Sequence, residues 1–123
     1  MTDIILSLAI STATSLASLY ARSLSPSPPP IRVEVVEFAN PLRDAVTVRE
    51  IGGGGCVLKL RREVLSRPDI IAHEVCHCMV DWPWMAESGN GWGSEISAEA
   101  RRAAEYDAQD CEARLLEIVD RDN

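Results

Sequence analysis

Histidine and positive charge are what this 123-residue chain has least of. There are two histidines, His73 and His77, and 12 Lys plus Arg against 19 Asp plus Glu, for a net charge of −7. That balance argues against a nucleic-acid backbone or an anionic membrane as the main partner. The basic residues are scattered without a stripe, and no internal repeat divides the chain. Charge of either sign is missing from Ile4 to Ala21. Six Ser or Thr interrupt that run and no basic region precedes it, so it reads poorly as a membrane span. Leu6, Ile10, Ala13, Leu16, Ala17 and Tyr20 recur at helical spacing, which predicts a core-packing helix over 1–24, capped by Thr2 or Asp3. A cleaved leader is the alternative.

What remains is ordinary for a small globular protein: 46% hydrophobic and 25% charged residues, enough for one domain over 1–123. The four cysteines, Cys56, Cys76, Cys78 and Cys111, do not by themselves make a disulfide framework. Cys78 and Cys111 fall on predicted apolar helix faces, which reads as buried free thiols and favours a reducing, cytoplasmic compartment over secretion.

Ser25 to Pro30 is a Pro-rich, extended connector. Ile31–Phe38 alternates as a half-buried strand, Asn40-Pro41 marks a turn, and Ala45–Ile51 is a second strand. Gly52–Gly55 forms a hairpin tip before a third strand, Cys56–Leu60. Lys59, Arg61 and Arg62 at the end of that strand suit a protected sheet edge. An extended peptide could add to Val57–Leu60 by backbone hydrogen bonding; the edge could equally be bare. Asp81–Ser94 is an irregular loop that carries all three tryptophans. They either shape a pocket or pin the loop to the core. Ser94 would cap a final helix that runs to about Asp120.

The two histidines fall in His73-Glu74-Val75-Cys76-His77, an H-E-x-x-H motif. On a helix, residues four apart share one face, so both imidazoles can reach a single Zn²⁺. Glu74 lies about 100° further round, beside the metal, where it can take a proton from an activated water. The flanks fit a helix: Ser66 as N-cap, Asp69 three residues on, Pro68 in the first turn, and an apolar stripe of Ile71, Val75, Cys78 and Met79. The bland reading is a pair of surface histidines on an amphipathic helix. A structural zinc cluster of His73, Cys76, His77 and Cys78 is disfavoured, because Cys78 points about 140° from His73 on the same helix.

Two imidazoles need a third protein ligand. No further histidine exists, and the final helix is the natural source. Its apolar stripe is Ala100, Ala104, Ala108, Cys111, Leu115 and Val119, and Glu105 sits on the shoulder of that stripe. Glu105 is preferred to Glu95, which points almost opposite to the stripe.

These residues resemble the gluzincin metallopeptidases, and among them the minigluzincins and the ImmA/IrrE-type proteases. There H-E-x-x-H is followed on a later helix by Glu-x-x-Ala-Asn or Glu-x-x-Ser-Asp. This chain has Glu105-Tyr106-Asp107-Ala108-Gln109 and then Leu115-Leu116, where the ImmA-type pattern also has a Leu pair. Gln109 stands in place of the family's Asn or Asp and by position would hydrogen-bond a ligand histidine from behind. The resemblance covers roughly 31–120 and implies peptide-bond hydrolysis by a zinc ion held by His73, His77 and Glu105, with Glu74 as general base and then acid. The expected fold is α+β: an N-terminal helix, a connector at 25–30, a small, mainly antiparallel three-stranded sheet, the H-E-x-x-H helix and the glutamate helix. No donor for the developing oxyanion is evident; Tyr106 points about 100° from Glu105 on the helix, and Arg101 and Arg102 have no better claim. The alternatives are a metal-binding but inactive partner-binding domain, and a latent enzyme whose cleft is blocked by the first helix or the Trp loop.

Overall fold

A computed structural model describes residues 2–49, 55–80 and 98–121, and its architecture is α+β. Helix α1 spans Thr2–Leu24, strands β1, β2 and β3 span Ile31–Val35, Ala45–Arg49 and Cys56–Leu60, α2 spans Pro68–Val80, and α3 spans Ala98–Arg121. A single 3-10 turn at Arg62–Val64 leads from β3 toward α2. Glu95, Ser94 and the three tryptophans lie outside the described residues.

The sheet order is β1-β3-β2, with β1 parallel and β2 antiparallel to β3. The sheet is therefore mixed rather than mainly antiparallel. It also places β3 at the centre, so Val57–Leu60 is not an edge. The residues explain why. Cys56, Val57, Leu58 and Leu60 are all buried, the near-continuous apolar run expected of a strand flanked on both sides. Arg61, read as an edge guard, instead pairs with Asp44 and donates to the Pro41 carbonyl at 3.1 Å. It thereby fixes the turn before β2. That turn is the expected one at Asn40-Pro41: the Leu42 N–H donates to Asn40 Oδ1 at 3.0 Å and the Arg43 N–H to the Asn40 carbonyl at 3.1 Å. Among the described residues, β1 and β2 are the edges of the sheet.

All the described helices gather round α2. The inward row Val33, Leu58 and Thr47 runs across the three strands in register; β1 packs against α1, and β2 and β3 against α2, whose Ile71, Ala72, Val75, Cys76 and Cys78 are buried. Helix α1 contributes Ala13, Ala17, Tyr20 and Ala21 to the core at the i, i+4, i+7, i+8 spacing of one helical face. Nearer its N-terminus, Ile4, Ile5 and Leu8 are exposed. It is also the helix, among the described residues, that is long and apolar enough to cross a membrane by length and composition. Helix α3 docks through Ala108, Cys111 and Leu115. Gly55 is required where the connector meets β3. The Cys56 N–H donates to the Pro30 carbonyl at 2.9 Å, and a Cβ on Gly55 would come within 2.6 Å of that same oxygen.

The cysteines are not free. Cys56 is bonded to Cys78 and Cys76 to Cys111. Burial of apolar thiols and of half-cystines follows the same periodicity, so spacing alone did not separate them. The pairing removes the basis on which a reducing compartment was inferred. It also removes Cys76 and Cys78 from any structural zinc cluster with the histidines. Closing loops with sequence separations of 22 and 35 stabilises by about 3–4 kcal/mol each on the chain-entropy account. Peptide mapping of non-reduced protein should recover Cys56–Cys78 and Cys76–Cys111 as the linked fragments, with no alkylatable thiol after denaturation; any other connectivity would overturn the assignment.

Candidate metal centre

Helix α2 begins at Pro68, two residues after Ser66, and the carbonyl of Arg67 accepts the first helical N–H groups. Pro at the first helical position loses nothing, because its missing N–H is one of the unsatisfied donors there. Arg67 also grips Asp69 through two hydrogen bonds of 3.1 and 2.9 Å, which holds the Asp69 carboxyl below its ordinary value. Arg67, rather than Ser66, is therefore the residue whose carbonyl opens the helical ladder.

One turn apart on α2, His73 and His77 bring their Nε2 atoms to 3.1 Å from one another, with the rings edge to face. Glu105 on α3 bridges the pair. Its Oε1 lies 2.9 Å from His77 Nε2 and its Oε2 lies 3.2 Å from His73 Nε2. A carboxylate oxygen of Glu74 and one ring nitrogen from each histidine lie within 4.8 Å of one another. The residues singled out in sequence, His73, Glu74, His77 and Glu105, therefore converge on one point.

Chemistry makes that point a place for positive charge. His73 Nδ1 is 2.9 Å from Glu112 Oε1. A carboxylate accepts, so Nδ1 carries a proton, and whenever the ring is neutral Nε2 presents a lone pair. That lone pair faces a second imidazole nitrogen and a carboxylate. Acceptors do not stabilise one another unless a proton or a cation lies between them. A tetrahedral zinc ion with bonds of about 2.0–2.1 Å separates its donors by about 3.3–3.4 Å, close to the spacing seen here. Nitrogen and oxygen donors of this kind suit zinc and several other first-row divalent ions. The residues present fit the ion.

Glu112 was not foreseen. Gln109, expected behind a ligand histidine, lines the same cleft, while the described partner of His73 Nδ1 is Glu112. Glu112 is seven residues beyond Glu105, about 20° away on the same helical face. Since Glu105 meets both rings and Glu112 meets His73, the earlier of the two, α3 runs antiparallel to α2. The i, i+7 spacing of the two glutamates was the available signal. Replacing Glu112 with Gln should weaken metal retention about 10–100-fold, the usual cost of losing an outer-shell carboxylate. Competition with a chromophoric chelator reads the loss.

Glu74 is buried, as is Thr47 on β2. The Thr47 hydroxyl lies 2.8 Å from Glu74 Oε1 and 2.9 Å from the Glu74 carbonyl oxygen. Burial pushes the Glu74 carboxyl above its ordinary value; His77, Thr47 and His73 pull the other way without cancelling it. The site opens into a cleft of about 620 Å³ whose walls come from the turn at 40–44, β2, α2 and α3. Helix α1 contributes no residue to that wall, so among the described residues it does not block the cleft. Tyr106 is 77% exposed, Arg102 is also exposed, and neither lines the cleft. The described cationic side chain that lines the cleft is Arg43.

Comparison of the chain with protein-family profiles, with curated proteins and with solved structures finds no match.

Proposed function

We propose that this chain is a zinc-dependent metallopeptidase of gluzincin type. The observation that carries the reading is the bridging of His73 and His77 by Glu105, with the carboxylate of Glu74 beside them and a cleft in front. Zinc held by His73, His77 and Glu105 would polarise a scissile carbonyl and lower the pKa of a water toward about 7.

The chain's own residues do the rest. Glu74 accepts the proton that water gives up and delivers it to the leaving amine nitrogen. Burial raises its pKa, the direction that favours keeping the accepted proton until it is delivered. Glu112 holds the His73 ring in the orientation that points Nε2 into the site. An extended peptide is best received by β2, an edge of the sheet among the described residues that borders the cleft, rather than by β3, whose backbone is paired on both sides. Main-chain hydrogen bonding along β2 would carry affinity irrespective of side chain.

Zinc-loaded protein should cleave fluorescein-labelled casein, and cleavage should stop on removing the metal and return on adding zinc back. Stoichiometric zinc binding with no hydrolysis of casein or of a mixed peptide library would favour the inactive, partner-binding domain instead.

A further inference from the structure

We propose that Thr47 is a positioning residue for Glu74, one that ties the base to the strand bordering the cleft; the proposal rests on the peptidase reading above. Thr47 sits mid-strand in β2, in the inward row Val33–Leu58–Thr47. The first two members of that row are apolar, and Thr47 is fully buried. A hydroxyl at such a position is costly unless it is bonded. Its two neighbours are both atoms of Glu74: Oε1 at 2.8 Å and the carbonyl oxygen at 2.9 Å.

One proton cannot serve both acceptors at once, and their needs differ. The Glu74 carbonyl lies inside α2, where it already accepts a bond from the helical ladder. The buried carboxylate has no other side-chain donor among the described residues. The hydroxyl proton is therefore worth most on Oε1, where a charged acceptor makes the stronger bond. That bond fixes the carboxylate torsion and leaves Oε2 to exchange protons. The hydroxyl oxygen also packs against the helix backbone at the same residue, so any shift of β2 shifts the base with it. A peptide bound along β2 would be registered against the group that acts on it.

The test uses full-length, zinc-loaded protein with Thr47→Val and Thr47→Ser. With a quenched-fluorescence peptide that wild type cleaves, Thr47→Val should lose about 10²-fold in kcat with KM little changed, the scale of a displaced catalytic group. Thr47→Ser should restore most of that loss. Zinc affinity should stay within about threefold in both, since neither ligand ring nor Glu105 touches Thr47. If Thr47→Val does not fold, Thr47→Ala replaces it. Wild-type kcat in the hydroxyl-free variant, or a loss that serine fails to rescue, would overturn the assignment.

A crystal structure of the zinc-loaded hydroxyl-free variant gives a second readout that needs no turnover. The Glu74 carboxylate should leave its wild-type position; a superimposable carboxylate would sink the proposal. If wild type cleaves nothing, the peptidase reading fails by itself and this structure still decides what Thr47 does.

Discussion

Glu74→Gln should bind zinc as wild type does and lose peptide hydrolysis by about 10²–10⁴-fold, the contribution of a positioned general base. The side chain keeps its shape and loses its basicity. The Thr47 hydroxyl can still donate to the amide oxygen at the site now occupied by Oε1, so the local geometry should survive. The ligand atoms His73 Nε2, His77 Nε2 and the Glu105 oxygens are untouched. The variant should also melt no lower than wild type, because a buried carboxylate is replaced by a neutral group of the same size. Zinc titration, calorimetry and a casein assay on one preparation check all three points. Turnover at the wild-type rate would take Glu74 out of the mechanism.

Glu105→Ala should cost more than any outer-shell change, beyond the 10–100-fold in metal affinity expected at Glu112. Glu105 is the only described carboxylate that meets both rings, at 2.9 and 3.2 Å. Removing it leaves two imidazoles on one helix, too few protein ligands for a catalytic zinc. Glu95→Ala should leave retention unchanged. Dialysis against a mild chelator followed by metal analysis separates the two, and the reverse outcome would move the third ligand to Glu95. The fold should tolerate the change at Glu105, whose side chain is about half exposed.

The parts of this site that were readable in sequence are those governed by helical period. His73 and His77 meet because they are one turn apart, Glu74 stands beside them because it is one residue on, and Glu105 follows from the shoulder of an apolar stripe. Thr47 was not read, although alternation within β2 places it on the same face as Ala45 and so inward. Which helical group it would meet depends on tertiary packing rather than on spacing. Glu112 lay on the same face as Glu105, but its meeting with His73 depends on how the two helices cross. Strand order was the larger error. A run of basic residues after Leu60 suggested an edge, yet Arg61 is spent on Asp44 and Pro41, a contact 17 to 20 residues back that no local pattern reveals. Cysteine connectivity is long-range in the same way.

Cys76 and Cys78 straddle His77 and tie it on one side to α3 and on the other to β3. Many domains of this size collapse when a chelator strips their ion. Here covalent cross-links share that burden, so the stripped chain should remain a folded scaffold. A metal-free sample can then serve as a matched blank beside the loaded one, and differences between them will report on chemistry rather than on unfolding.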